Sequence, residues 1–288
     1  MNHPASHTHS GQHSHEGQHS HGDQAELAEL IDLDAEVLHE HHREVIGWIA
    51  SLVPERARVI DLGAGTGVGA LALARQLPGA KVTALDIDEA MLARIRHKAA
   101  ALGVADRVRT VQADLDEPWP TPESTLGPAD LVWAANSMHH VADPGRVLAQ
   151  ARAALRPGGM IVISEMNSFP RFLTDEAGAA AEDRGHAAMA EARTEAGMHM
   201  DEDWGDRLVQ AGLVAEEPRS FGIVLSAPLP TAAGRYAQLS LERMRHGLAD
   251  RLGADDLAVL EAAAATAPGG DGLVIRADRT VWVGRRPR

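Results

Sequence analysis

Two kinds of hydrophobic pattern alternate along the middle of the chain. Short apolar runs, typical of buried strands, are separated by stretches in which apolar residues recur every three or four positions. The predicted strands are Arg58–Leu62, Lys81–Leu85, Val108–Gln112, Asp130–Ala135 and Met160–Ser164. The predicted helices between them are Val68–Gln76, Glu89–Leu102 and Val147–Leu155. This alternation builds βαβ units, so it predicts a doubly wound, Rossmann-like α/β domain with a mostly parallel sheet.

Helical patterns flank this core on both sides. Residues 23–56 form a predicted N-terminal helical segment that precedes the core, residues 57–166. The remainder, residues 167–288, combines last strands at Phe221–Leu225 and Thr280–Val283 with helical insertions. Those insertions are Ser168–His199, Asp201–Ala211, Ala232–Arg251 and Asp255–Ala265. Because they come after strand five and before the last strand, we expect a helical substrate lid at the carboxyl edge of the sheet, where such folds bind ligands.

The first 22 residues differ in composition from the rest of the chain. They hold seven of the 16 histidines and almost no apolar side chain. Such a segment cannot offset its ordering entropy by burial, so a disordered tail is expected over residues 1–22. Its His-x-His pairs could bind divalent metal ions, and we interpret that affinity as incidental. The sequence predicts no other metal site.

Composition excludes several classes of protein. The 288 residues include no cysteine, which excludes disulfides, a thiolate nucleophile and cysteine-ligated metals. The net charge of −14, from 27 basic and 41 acidic residues, argues against a nucleic-acid partner. No apolar run approaches the roughly 18 residues of a membrane helix, and the first residues lack the pattern of a signal peptide. A cytoplasmic protein without a membrane partner is therefore expected.

The first predicted strand runs into a glycine-rich turn, Asp61-Leu-Gly63-Ala-Gly65-Thr-Gly67. Glycines allow the backbone to approach a ligand, and the following helix points its N-terminus at that ligand. Residues 65–70 also fit the G-x-G-x-x-G/A pattern of dinucleotide binders, which keeps an NAD(P)-dependent oxidoreductase as an alternative. The carboxylate of Asp61 would repel a pyrophosphate, whereas it would attract the α-ammonium group of S-adenosylmethionine.

Four further motifs follow this turn in order. They are A-L-D-I-D (84–88), V-Q-A-D-L-D (111–116), D-L-V-W-A-A-N (130–136) and L-R-P-G-G (155–159). Together the five motifs, within residues 57–165, resemble those of a class I S-adenosylmethionine-dependent methyltransferase of the small-molecule type. The resemblance weakens beyond Glu165, in the part of the chain that would select the substrate.

The resemblance implies a set of cofactor-binding residues. They are Asp61, Gly63, Ala64, Gly65, Asp86, Ile87, Met91, Ala113, Asp114, Leu115 and Asn136. Asp86 would accept hydrogen bonds from the ribose hydroxyls, although it could instead cap the next helix. Asp114 would accept from the adenine amine, with Ala113 and Leu115 near the base. Met91 would pack on the adenine, or else in the core, and Asn136 would close over the methionine part.

Three residues are candidates for catalysis. Methyl transfer requires positioning, and it requires a base when the acceptor is O–H or N–H. His139 and His140 follow strand four, and Glu165 ends strand five, so all three should lie at the same edge. A paired histidine at this place can also be purely structural, and Glu165 could bind an amine instead of acting as a base.

Other residues have two interpretations each. Arg171, Trp204 and Tyr236 are either substrate contacts or ordinary packing of the lid, and His41 and His42 either border the pocket or sit on a solvated face, the second being favoured. The predicted function is methyl transfer to O or N of a small-molecule acceptor of specialised metabolism. A catalytically silent S-adenosylmethionine-binding protein and a metal-handling protein remain alternatives.

Overall fold

The computed structural model describes residues 20–119, 128–200, 202–270 and 272–288. The larger part of the predicted tail, residues 1–19, lies outside these ranges, and so does its predicted metal binding. The helices are α1 Ser20–Val37, α2 His39–Ser51, α3 Val68–Gln76, α4 Glu89–Ala101, α5 Pro144–Ala154, α6 Glu176–Glu195, α7 Trp204–Gln210, α8 Ala233–Gly247 and α9 Ala254–Thr266. The strands are β1 Arg58–Leu62, β2 Lys81–Asp86, β3 Val108–Gln112, β4 Ala129–Ala135, β5 Leu155–Met166, β6 Val214–Ala215, β7 Arg219–Leu225 and β8 Ile275–Arg285.

The eight strands found in the described ranges form one sheet. Its order is β3-β2-β1-β4-β5-β8-β6, and β7 also pairs with β8. Strands β1 to β5 are parallel, whereas β8 runs antiparallel to β5, β6 and β7. The predicted doubly wound α/β fold with a mostly parallel sheet is confirmed.

Several elements are longer than the sequence pattern predicts, among them β5, which spans Leu155–Met166 instead of Met160–Ser164. The last strand spans Ile275–Arg285 instead of Thr280–Val283, because its first half alternates buried apolar with exposed charged residues and pairs with β7. Helix α5 begins at Pro144, three residues early, because the side chain of Asp143 accepts a hydrogen bond from the Arg146 backbone at 3.0 Å. Likewise, α1 already begins at Ser20, inside the predicted tail.

The hydrophobic core has three parts. Helices α2, α3 and α4 cover one face of the sheet, and α5 and α7 cover the other. A third cluster joins the end of α1 to α6, α8, α9 and the start of β8. Since α6 follows the carboxyl end of β5, and α9 precedes the start of the antiparallel β8, this helical layer stands at the carboxyl edge. Its position agrees with helical insertions after strand five and before the last strand. No helix in the described ranges is long and apolar enough to cross a membrane.

Candidate active site

The glycine-rich turn after β1 is held tightly against its neighbours. Gly63 has a φ of +61°, and a Cβ atom there would lie 2.6 Å from the Cβ of Ser137. Ser137, just after β4, donates from its hydroxyl to the Leu62 carbonyl at 2.8 Å, and the Ala64 backbone donates to the Leu85 carbonyl at 2.9 Å. The turn is therefore fixed between the carboxyl ends of β2 and β4.

Asp61 is a buried carboxyl group under this turn. Burial raises its pKa to about 8, against the opposing hydrogen bond from the Ala70 backbone N–H and with a smaller contribution from the charge of Asp86. Its Oδ2 atom has no hydrogen-bond partner among the described residues. A Cβ atom at Gly69 would lie 3.2 Å from that oxygen, so the oxygen lies beneath the first turn of α3. The α-ammonium group of S-adenosylmethionine would satisfy it and favour its ionised form, so the residue fits the predicted cofactor.

Asp86 joins the end of β2 to the glycine turn. Its Oδ2 accepts from the Gly65 backbone at 2.7 Å, and its Oδ1 accepts from the Asp88 backbone at 2.9 Å. The alternative role, capping of α4, belongs to Asp88, which accepts from the Ala90 backbone at 2.7 Å. Beside it, Ile87 is 62% exposed at the same edge, where it offers an apolar surface for a base. A carboxylate has about four acceptor positions, so Asp86 can still accept from ribose hydroxyls.

The segment after β3 meets the same edge. The Ala113 backbone donates to the Asp86 carbonyl at 3.0 Å, and Leu115 is half-buried against the core beside it. Asp114 is exposed, and its Oδ1 accepts from the Asp116 backbone at 2.9 Å. Met91 is buried and lines a cavity of about 210 Å³ between α1 and the start of α4. The predicted adenine-binding residues thus collect beside the end of β2, and their contact with the base stays a prediction.

Asn136 follows β4 in a left-handed conformation with a φ of +50°, which asparagine tolerates better than most residues. Its backbone donates to the Ser164 carbonyl at 2.8 Å, and its Oδ1 accepts from the Met166 backbone at 3.0 Å. The side chain therefore locks the end of β4 to the end of β5. The chain then forms a short 3₁₀ turn, Met138–His140.

This turn brings His139 onto Glu165. The His139 Nδ1 atom lies 2.6 Å from Glu165 Oε2, and Glu165 Oε1 accepts from the Met138 backbone at 2.9 Å. The two side chains are buried, with residue exposures of 3% and 5%. In the tautomer whose Nδ1 donates to this carboxylate, the lone pair of the ring is on Nε2. His139 and Glu165 thus meet at the carboxyl edge, where the sequence analysis expects them, and their role in catalysis stays a prediction.

His140 lies in a different environment. Its ring centroid is 4.1 Å from that of His139. Burial, together with the nearby charges of His139 and Arg193, lowers its pKa to about 4, so its ring is neutral at pH 7. No carboxylate hydrogen-bonds to it in the described part of the chain. Of the two histidines, only His139 has the oriented arrangement of a base.

The N-terminal helix α1 lies across the glycine turn, a contact that the sequence analysis missed. Asp32 Oδ1 accepts from the Thr66 hydroxyl at 2.6 Å and from Lys98 Nζ at 2.5 Å. A Cβ atom on Gly65 would lie 3.6 Å from Ile31 Cδ1. No sequence motif predicts this contact of Asp32 with the glycine turn, because an acidic residue in a polar helix is usually solvated.

A second acidic residue of α1 fixes the helix to the opposite side. Asp34 accepts from the Tyr236 hydroxyl at 2.5 Å and from Arg279 at 2.9 Å, and His42 Nε2 lies 3.4 Å from it. Burial opposes ionisation of Asp34, but Arg279, His42 and Tyr236 together hold its pKa well below its ordinary value. Tyr236 is therefore part of the packing of the helical layer.

The other predicted contacts are mostly structural. Arg171 forms an ion pair with Asp183, and Trp204 is buried against the sheet in the cluster under α5. His41 is buried, and its ring centroid lies 4.9 Å from that of Phe221. The prediction that His41 sits on a solvated face is therefore wrong. Aromatic packing explains the difference. In the described ranges, no group of three or more metal-ligating side chains is present.

Fold and site together have the features of a class I methyltransferase core. These are a doubly wound sheet, a glycine turn after β1 and an acid at the end of β2. Residues 60–161 match the family model described as a methyltransferase domain. The chain thus contains a domain of this methyltransferase family, which confirms the predicted class and its cofactor, S-adenosylmethionine. The match favours this class over an oxidoreductase.

Similar proteins agree with this assignment. The chain is 33% identical over 141 residues to 27-O-demethylrifamycin SV methyltransferase of Amycolatopsis mediterranei, covering 48% of this chain and 50% of that protein. It is 32% identical over 139 residues to a ubiquinone biosynthesis O-methyltransferase of Pseudomonas aeruginosa, covering 46% and 55%. The chain thus spans about half the length of these relatives. A crystal structure of a putative methyltransferase from Bacillus halodurans superposes with a TM-score of 0.55 at 18% identity, covering 85% of this chain and 98% of that one, which shows the shared fold.

Proposed function

We propose that the protein transfers a methyl group from S-adenosylmethionine to a hydroxyl oxygen of a small-molecule acceptor, with His139 as the general base. The observation that carries this proposal is the buried hydrogen bond of 2.6 Å between His139 and Glu165 at the carboxyl edge of β4 and β5. A carboxylate that fixes an imidazole tautomer is the arrangement that proton abstraction requires.

The cofactor-binding residues proposed are those at the ends of the first three strands. Asp61 would face the ammonium group, Asp86 the ribose hydroxyls, and Ile87 the base, with Asp114 beside the exocyclic amine. When bound, S-adenosylmethionine supplies an electrophilic methyl group on a sulfonium, whose thioether leaves readily. The chain's own contribution is then to hold the acceptor in line and to remove one proton.

His139 would remove that proton. With Nδ1 donating to Glu165, the Nε2 lone pair is free to accept the hydroxyl proton as the new C–O bond forms. Glu165 stabilises the resulting imidazolium, and its second oxygen stays fixed by the Met138 backbone. An amine acceptor would need this pair less, because it can lose its proton to water. The pair and the O-methyltransferase names of the relatives both support oxygen as the acceptor atom.

Transfer of labelled methyl groups to a panel of hydroxylated small molecules tests the proposal. We expect His139→Ala to lower kcat by about 10²–10⁴ and Glu165→Gln by a smaller factor, with unchanged affinity for S-adenosylhomocysteine. His140→Ala is the matched control, because the adjacent ring lacks the carboxylate partner, and it should stay within about tenfold of the native rate.

Two results would contradict the proposal. If His139→Ala kept a rate within about tenfold of the native rate, positioning alone would account for catalysis. If the native chain bound S-adenosylhomocysteine but methylated no hydroxyl compound of the panel, the catalytically silent binder would be favoured.

A further inference from the structure

A guanidinium group stands beside the proposed base. Arg193, in the last turns of α6, is half-buried, and its Cζ lies 4.0 Å from the centre of the Phe169 ring. Its Nη1 contacts the sulfur of Met200 at 3.2 Å. The segment after α6 is tied to the proposed base, because the His199 backbone donates to the His139 carbonyl at 3.0 Å. Arg193 therefore belongs to the wall of the same site.

Among the residues that the structure describes, no ion pair matches the charge of Arg193. Elsewhere on the same helix, Arg184 bonds to both oxygens of Asp256. For Arg193, the described ranges contain no carboxylate within 4.0 Å; Glu165 acts on it only from a longer distance. Burial lowers the pKa of Arg193 to about 10, so the group is still charged at pH 7. Partly buried charges are normally paired, so the site lacks an anion.

A second polar group of the same helix face also lacks a partner. His186 precedes Arg193 by seven residues, or about two helical turns, so both side chains lie on one face of α6. The His186 ring stands edge-on to Phe169 with centroids 6.2 Å apart, and its buried Nε2 atom has no hydrogen-bond partner in the described part of the chain. Phe169 is thus flanked by a cation and by an unsatisfied imidazole.

We propose that the acceptor carries a carboxylate, which binds Arg193 beside Phe169 and His186 while its hydroxyl faces His139. This inference rests on the proposed function, because it names the class of acceptor for the same site. The planar fork of a guanidinium matches the two oxygens of a carboxylate, and the stacking of Arg193 on Phe169 fixes the orientation of that fork. A phosphate monoester would offer the same anionic oxygens, so it is a separate arm of the test.

Binding to the full chain saturated with S-adenosylhomocysteine tests this subsite. The probes are hydroxybenzoic and hydroxycinnamic acids, their methyl esters, and the corresponding phosphate monoesters, with affinity measured by calorimetry. We expect at least one acid to bind about 10- to 100-fold more tightly than its ester, and Arg193→Gln to remove that preference. Arg184→Gln, on the same helix but paired with Asp256, is the matched control and should keep it.

The outcomes separate the two proposals. Equal binding of acids and methyl esters to the native chain overturns the carboxylate subsite, and so does the absence of binding of either. A preference for the acid over its ester that survives in Arg193→Gln overturns it as well. Tighter binding of phosphate monoesters than of acids overturns the choice of carboxylate. If an acid binds through Arg193 but accepts no labelled methyl group, the anion subsite stands and the proposed reaction fails. An unchanged affinity for S-adenosylhomocysteine and an unchanged Tm show that Arg193→Gln is folded.

Discussion

Replacement of Asp61 by Asn should remove a pH dependence of stability that this one buried carboxyl group imposes. In the folded chain the pKa of Asp61 is about 8, whereas its ordinary value is 3.8. The folded chain therefore holds a proton that the unfolded chain releases. The resulting stabilisation is fully present below the unfolded pKa and is lost as the pH rises through about 8.

The size of the effect follows from the two pKa values. Between pH 7 and pH 8 the protonated fraction of folded Asp61 falls from about nine tenths to one half, and the unfolded group stays ionised. Linkage then lowers the free energy of unfolding by about 1 kcal/mol over that single pH unit. The buried histidines act in the opposite direction: His41, His140 and His186 have a pKa lowered to about 4, so the unfolded chain binds more protons there and stability rises with pH up to and slightly beyond 6.5. Because Asp61→Asn keeps all three histidines, the comparison of the two proteins cancels their contribution.

Urea denaturation at pH 7.0, 7.5 and 8.0 measures this slope. We expect the free energy of unfolding of the native chain to fall by about 1 kcal/mol relative to that of Asp61→Asn over this range, since an amide does not titrate in the window. Saturating S-adenosylhomocysteine should flatten the native slope, because its ammonium group favours the ionised carboxyl. Identical slopes in the two proteins would refute the argument from burial. A native slope that the ligand leaves unchanged would refute the pairing with the ammonium group.

Three further predictions concern other parts of the site. Asp86→Ala should weaken S-adenosylhomocysteine binding by about 1.5–3 kcal/mol, measured by calorimetry, because charge-assisted hydrogen bonds to ribose are lost; unchanged affinity would exclude that role. Asp32→Asn should speed dissociation of S-adenosylhomocysteine about three- to tenfold in stopped-flow experiments, because α1 loses its ion pair with Lys98; an unchanged rate would show that α1 does not retain the ligand. Tyr236→Phe should lower the free energy of unfolding by about 1.5–3 kcal/mol, since Asp34 loses a buried hydrogen bond, and a loss under about 0.5 kcal/mol in urea titration would contradict this.

The core of the fold follows directly from the sequence pattern. The strands from Arg58–Leu62 to Val108–Gln112 coincide with their predictions to within one residue, because each is a short run of mostly β-branched and apolar residues between helical patterns. The glycine turn and the carboxylate of Asp86 can be predicted equally well from the sequence, since close backbone approach and a fixed carboxylate require particular residue types. The last strand, Ile275–Arg285, is harder to predict, because the exposed charged residues Arg276 and Asp278 interrupt its apolar first half.

Contacts between distant segments could not be predicted in the same way. Arg193 and Phe169 are ordinary residues in a stretch rich in alanine and glutamate, and only the packing of α6 places them near His139. That a histidine after β4 lies close to Glu165 can be predicted from the sequence, because parallel strands end at one edge of the sheet. Which of the two histidines would meet the carboxylate depended on the direction of the 3₁₀ turn, and local sequence does not determine that direction.

The position of α1 connects the two halves of the site. Asp32 and Asp34 are two residues apart, so on a helix their side chains point in different directions. One holds the glycine turn through Thr66, and the other holds the helical layer and β8 through Tyr236 and Arg279. A rigid displacement of α1 away from the glycine turn must therefore disturb the contacts of Asp34 as well. Release of the cofactor product and loosening of the helical layer are consequently expected to occur together, although the residues proposed to face the cofactor follow β1, β2 and β3, and the proposed base and its carboxylate follow β4 and β5.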